Sequence, residues 1–199
     1  MKRKTYLKNK HNYNTVIKKL KKKENYNLGN NIYEIIFATR DNAVKINIPV
    51  SKWNSDESDG ALFLGKLIGG NIIVREEFTK ETYKFKQKNP DYVINGKYWD
   101  LKTIGSTSNQ GAIKRGVKAK AHQIKNNPGG ILLDISLSTI PNHVVRKQIV
   151  NGMKDTSISN FKVIAERKNY VIAMFYKKRS PTRPSSERRS RLLYVLIIT

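Results

Sequence analysis

Cysteine is absent from the 199 residues, which excludes disulfides, a thiolate nucleophile and Cys-ligated zinc. No apolar run reaches the ~18 residues of a membrane span, and behind the lysine-rich N-terminus stands no apolar stretch of the kind a signal peptide needs, so a soluble domain is expected. Histidine is scarce too. His11, His122 and His143 show no HExxH or comparable spacing, which leaves a His-ligated zinc site without support. Acidic residues number 15 against 39 Lys and Arg, for a formal net charge of +24. Such an excess is far larger than solubility requires, and a polyanionic partner is its simplest physical reason, with nucleic acid ahead of an anionic membrane surface.

What is present falls into three parts. Residues 1–28 carry a dense lysine run with few apolar positions and read as a solvated basic arm or short helix. Residues 29–178 alternate strand-like and helix-like segments and make one α/β domain. Residues 179–199 differ in composition: the tail holds five arginines and no lysine, whereas the preceding 178 residues hold six arginines beside 28 lysines. An appendage is expected there, although its "LLYVLIIT" could add an edge strand.

Within the domain, "IYEIIFATRDNAVKINIPV" predicts two strands about the turn Arg40-Asp41-Asn42. A helix follows, with Asn54 as cap and Glu57 three places on. Ala61, Leu64, Leu67 and Ile68 recur at helical spacing before Gly69-Gly70 ends the run. "NIIVREEF" reads as a strand. Residues 110–126 predict an amphipathic helix with Ile113, Val117, Ala121 and Ile124 inward and Lys114, Lys118, His122 and Lys125 outward. "ILLDIS" after it has the look of a buried strand, so strand, helix and strand form a right-handed crossover and the sheet is partly parallel. "PNHVVRKQIVNGMK" gives a further helix with Pro141 in its first turn, and "KVIAERKNYVIAMFY" a closing hairpin.

The chemistry gathers in "NPDYVINGKYWDLKT", residues 89–103. Asn95-Gly96 between alternating apolar residues signals a two-residue hairpin, because both turn positions need positive φ. That register sets Tyr92 opposite Trp99 and Asp91 opposite Asp100, a pair of like charges ~5 Å apart that destabilises a sheet unless a cation lies between them. Lys102 points to the same face as Asp100. Two hard oxygen ligands beside an ammonium suit a divalent metal and a phosphodiester: the ion polarises the phosphoryl oxygen and acidifies a water, and the lysine offsets developing negative charge. The bland alternative is a solvated acidic sheet edge. Glu57 shares the sheet-facing stripe of its helix with Ala61, Leu64 and Ile68 and is a third acid, unless it serves only as a cap residue; Asp56 and Asp59 are less well aligned substitutes.

Pro90-Asp91, eight intervening residues and Asp100-Leu101-Lys102 resemble the PD-(D/E)XK nuclease signature. More closely, "PDYVINGKYWDLKT" followed by "RGVKAKAHQIKNNPGGILLDIS" looks like the tRNA-nuclease C-terminal toxin domains of contact-dependent inhibition proteins. The resemblance implies a restriction-endonuclease-like core, a mixed sheet flanked by helices. It also implies Glu57, Asp91 and Asp100 as ligands of Mg²⁺ or Mn²⁺, Lys102 as the catalytic lysine, and Gln123 as an assistant at the scissile phosphate. It implies RNA, tRNA in particular, as substrate, a small acidic immunity protein as partner, and action in the cytoplasm after delivery as part of a secreted toxin. The basic face Lys114, Arg115, Lys118, Lys120 and Lys125 is the candidate phosphate-contacting surface. Three alternatives stay open: a DNA endonuclease of the same fold, a metal-free ribonuclease using His122 as acid and base, and a non-catalytic nucleic-acid-binding protein. "GALFLGK" matches a phosphate-binding loop by letter only, since Leu67 stands where Ser or Thr is needed and no strand precedes it.

Overall fold

A computed structural model describes residues 32–39, 43–76, 89–167, 170–177 and 191–197. The basic arm 1–28 and the turn Arg40-Asp41-Asn42 lie outside the described residues.

Among the described residues nine strands form one sheet in sequential order: β1 (Ile32–Ala38), β2 (Ala43–Pro49), β3 (Gly70–Val74), β4 (Tyr92–Ile94), β5 (Lys97–Thr103), β6 (Pro128–Asp134), β7 (Phe161–Arg167), β8 (Tyr170–Lys177) and β9 (Arg191–Ile197). The sheet is mixed as expected, parallel at β2/β3, β5/β6 and β6/β7 and antiparallel elsewhere. Strand β9 pairs with β8 along its whole length, so this part of the compositionally distinct tail is a sheet edge. Among the described residues three α-helices flank the sheet: α1 (Asp56–Ile68), α2 (Gly111–Gln123) and α3 (Asn142–Lys154). Among the described residues no helix is long and apolar enough to cross a membrane.

Each face has its own apolar cluster. Ala61 and Leu64 of α1 pack with Ile46, Ile72, Tyr92, Trp99, Leu101 and Leu132 on one side. On the other, Ile113, Val117 and Ala121 of α2 and Val145, Ile149 and Met153 of α3 pack with Ile104, Ile131, Leu133 and Val163. Each fully buried aliphatic side chain contributes roughly 1.5–3 kcal/mol, and both stripes are those that the 3.6-residue period selects. Close approach is made by glycine: a Cβ at Gly129 or Gly130 would overlap the Trp99 ring, and one at Gly152 would meet Val117 of α2 at 2.8 Å.

Three local expectations are corrected. Ser55, not Asn54, caps α1: its backbone is extended and its hydroxyl accepts from the Ser58 N–H at 3.3 Å. Strand β3 ends at Val74, so Arg75 and Glu76 of the predicted "NIIVREEF" strand fall outside it, while the last two residues of that stretch lie outside the described residues. Pro141 precedes α3 as its N-cap.

Candidate active site

Strand β5 carries the centre of the site. Its side chains alternate: Trp99 and Leu101 join the α1 cluster, while Tyr98 and Ile104 pack on the α2 side, so Asp100 and Lys102 between them face α2. The hairpin that positions them has the predicted turn, with Asn95 at φ 48° and Gly96 at φ 75°. Pairing runs from Ile94↔Lys97 to Tyr92↔Trp99 and stops there. Asp91 therefore lies one residue beyond the ladder instead of forming its next rung. The two aspartates still converge, through a shared donor. The Leu101 N–H donates to Asp91 Oδ2 at 2.7 Å and to Asp100 Oδ1 at 3.0 Å.

The cation that such a pair demands is Lys120. Its Nζ donates to Asp100 Oδ1 at 2.6 Å and lies 3.5 Å from Asp91 Oδ2. This corrects the placement of Lys120 on the outer basic face. It follows Val117 by three residues and precedes Ile124 by four, which turns it toward the sheet with the apolar stripe. That spacing made its inward turn readable, but not which carboxylates it meets.

Asp100 is fully buried. Burial pushes its carboxyl up to about 8, the adjacent Asp91 adds to the rise, and Lys120 opposes it. Burial works to lower the Lys120 ammonium, but Asp100 and Asp91 outweigh it and hold the ammonium above its ordinary value. Asp100 Oδ2 is buried with no hydrogen-bond partner among the described residues. An orphaned carboxylate oxygen in the interior is costly.

A cleft of about 430 Å³ opens beside the pair, lined by Asp56, Glu57, Asp91, Leu101, Lys102, Thr103 and Lys120. Glu57, Asp91 and Lys102 thus share it. Glu57, however, accepts from Lys52 Nζ at 2.9 Å. Burial acts to raise its carboxyl, but the Lys52 and Ser55 hydrogen bonds prevail and lower it. Among the described residues no three His, Asp or Glu groups lie close enough together to hold one ion. Lys102 is exposed, its stem rests on α2 where a Cβ at Gly116 would lie 3.0 Å from its Cγ, and its ammonium has no partner among the described residues. Asp59 does not line the cleft.

Gln123 lies elsewhere. Its Oε1 accepts the Asn89 N–H at 3.4 Å, and it lines a second cavity with His122, Arg115 and Lys118. The predicted basic face is thereby split. Lys118 and Lys125 are exposed, Arg115 bonds Asn109 Oδ1 at 3.1 Å, and Lys114 pairs with Asp155 at 2.8 Å. His122 does not line the aspartate cleft. Tyr92 and Trp99 are buried on the α1 side, as core residues and not stacking platforms.

Residues 88–169 match the model of the contact-dependent growth inhibition CdiA C-terminal domain family. The span is under half of the chain; it includes Asp91, Asp100, Lys102, Lys120 and Gln123 and leaves out Glu57. The match supports the contact-dependent-inhibition side of the resemblance. No curated protein and no solved structure matches the chain.

Proposed function

We propose that the chain is a metal-dependent endonuclease that hydrolyses phosphodiester bonds in RNA, tRNA in particular, and that it acts as a toxin effector domain. The observation that carries the reading is the aspartate pair: two carboxylates converge on the Leu101 N–H, Asp100 fully buried and Asp91 opening onto a cleft that Lys102 and Lys120 line together with Asp56 and Glu57.

The donor set fits a divalent cation in part. Asp91 and Asp100 would hold Mg²⁺ or Mn²⁺, both hard-oxygen ions, with the orphaned Oδ2 as a natural donor. Glu57 could join only on release from Lys52. When bound, such an ion supplies Lewis-acid polarisation of the phosphoryl oxygen and a water of lowered pKa. The Leu101 N–H orients both carboxylates. Lys120 neutralises the pair, with its Nζ donating to Asp100 Oδ1 at 2.6 Å and lying 3.5 Å from Asp91 Oδ2. Lys102, with a free ammonium at the cleft mouth, binds a non-bridging phosphate oxygen and offsets charge as it develops. Lys118 and Lys125 hold flanking phosphates without reading sequence.

The preference for RNA rests on the resemblance alone, while the site of action after delivery and the acidic immunity partner have the resemblance and the family match behind them; the charge of +24 supports any nucleic acid. The test is incubation of the full chain with tRNA and with duplex DNA, in Mg²⁺ and in EDTA. Cleavage of tRNA that stops in EDTA and in Asp100→Asn is the expected result. Cleavage of DNA alone moves the reading to a DNA endonuclease, and binding without cleavage ends the enzymatic reading. Cleavage that survives EDTA but fails in His122→Ala relocates the chemistry to the second cavity.

A further inference from the structure

The second cavity, of about 650 Å³, lies between the outer side of α2 and the segment 155–158 that follows α3. Its volume is in the range of small-molecule sites, about 300–1,000 Å³. Its composition is two-sided. The floor is apolar, from Ala121 and Ile158, both buried, while Arg115, Lys118 and His122 stand along the wall with Asp155, whose carboxylate is paired with Lys114 at 2.8 Å. Arg115 is steadied by Asn109. A site for phosphate alone needs cations and no apolar floor. A flat apolar ring with an anionic group attached satisfies both halves.

We propose that this cavity is a nucleotide subsite, which takes one unpaired base of a single-stranded RNA segment on its apolar floor and the adjoining phosphate on Arg115 and Lys118. The proposal rests on the nuclease reading and adds to it a source of substrate discrimination away from the scissile bond. Helix α2 makes the connection. Lys120 turns from it to the aspartates, and Lys118 and His122 turn to the cavity, across a helix about 10 Å in diameter. A strand that lies over α2 therefore reaches both. Gln123 joins the two sites at its other end, since it lines the cavity and accepts the N–H of Asn89, two residues before Asp91. Unpaired bases are what proteins read in RNA, by stacking and edge contacts, because the grooves of an A-form duplex hide them.

The test uses the full chain in EDTA, so that no oligonucleotide is cut. Affinity for a fluorescent six-nucleotide RNA is compared with that for the same oligonucleotide made abasic at each position in turn, which keeps every phosphate. Loss of one particular base should weaken binding by about tenfold. Ala119→Trp, at an exposed position on the cavity wall, should bind the intact oligonucleotide as wild type binds that abasic form; Ser157→Trp closes the cavity from the opposite wall and should do the same. Equal affinity for intact and abasic RNA in wild type overturns the proposal, and so does a base effect that persists in both folded variants. A cleavage assay in Mg²⁺ with wild type separates the two readings: a base effect without cleavage leaves the subsite standing and removes the nuclease, and cleavage without a base effect does the reverse.

Discussion

Asp100 and Lys120 meet at 2.6 Å with the carboxylate fully buried, and substitutions at these positions separate chemistry from stability. Asp100→Asn should abolish cleavage. It should also change the pH dependence of folding. The folded carboxyl titrates near 8 while the unfolded one titrates near 4, so between those values the folded state holds a proton that the unfolded state lacks. Stability attributable to this group is complete below pH ~4, falls by up to about 1.4 kcal/mol per pH unit, and is lost above pH ~8. Glu166 adds the same sign, because burial first and then Asp134 and Asp59 raise it to about 7. Melting temperature should therefore fall from pH 5 to pH 8 in wild type. Asp100→Asn should flatten the part of that slope between pH 7 and 8, and an unchanged slope there would contradict the buried, proton-sharing pair. Lys120→Ala, by contrast, should cost about 2 kcal/mol at pH 8, since it leaves two carboxylates without their cation; Mg²⁺ should recover that loss more fully than it stabilises wild type. Lys102→Ala should lose cleavage yet keep Mg²⁺-dependent stabilisation, because an ammonium is no metal ligand. A melting curve with and without Mg²⁺ reads both.

Among the elements, the β4-β5 hairpin sets the register of the site. Gly96 sits at φ 75° with open space around its α-carbon, so Gly96→Ala meets no neighbour and suffers only the backbone penalty, about 1 kcal/mol by denaturant unfolding. Gly116→Val should act differently. The added Cβ presses on the Lys102 stem, so activity should drop more than stability, with kcat rather than fold as the sensitive quantity. At the far side of the sheet, β9 covers the edge of β8 along seven paired residues. Truncation after residue 178 should leave the aspartate cleft four strands away unaltered but free the β8 edge for association, measurable as concentration-dependent light scattering with retained specific activity in the monomer fraction.

For the whole molecule, charge governs encounter. At +24, log K for RNA should fall steeply with log salt, by about 0.7 for each phosphate neutralised on a single strand. Deletion of residues 1–28 should reduce that slope without abolishing binding, because Lys118, Lys125 and the cleft lysines remain. Equal slopes for the two forms would show that the arm touches no phosphate. The same excess charge suits an acidic partner that covers the cleft, whose binding should be weakened by salt in parallel with that of RNA.

The order of strands and helices, the two apolar stripes, the Asn95-Gly96 turn and the meeting of Asp91 with Asp100 were all legible in the chain, because each depends on local periodicity or on a turn chemistry that a few neighbouring residues fix. The cap of α1 was misplaced by one residue, since Asn54 and Ser55 are both competent and only backbone geometry chooses. What the tertiary structure alone decided is which cation serves the aspartates. Lys102 and Lys120 are equally basic as letters, and Lys102 is the nearer in sequence. The parallel β5-α2-β6 crossover carries α2 across the α2-side face of β5, so a lysine 20 residues after Asp100 arrives at 2.6 Å while the neighbour two residues away is left open to the cleft. Contact between distant residues follows from where packed elements come to rest, and no local pattern encodes that distance.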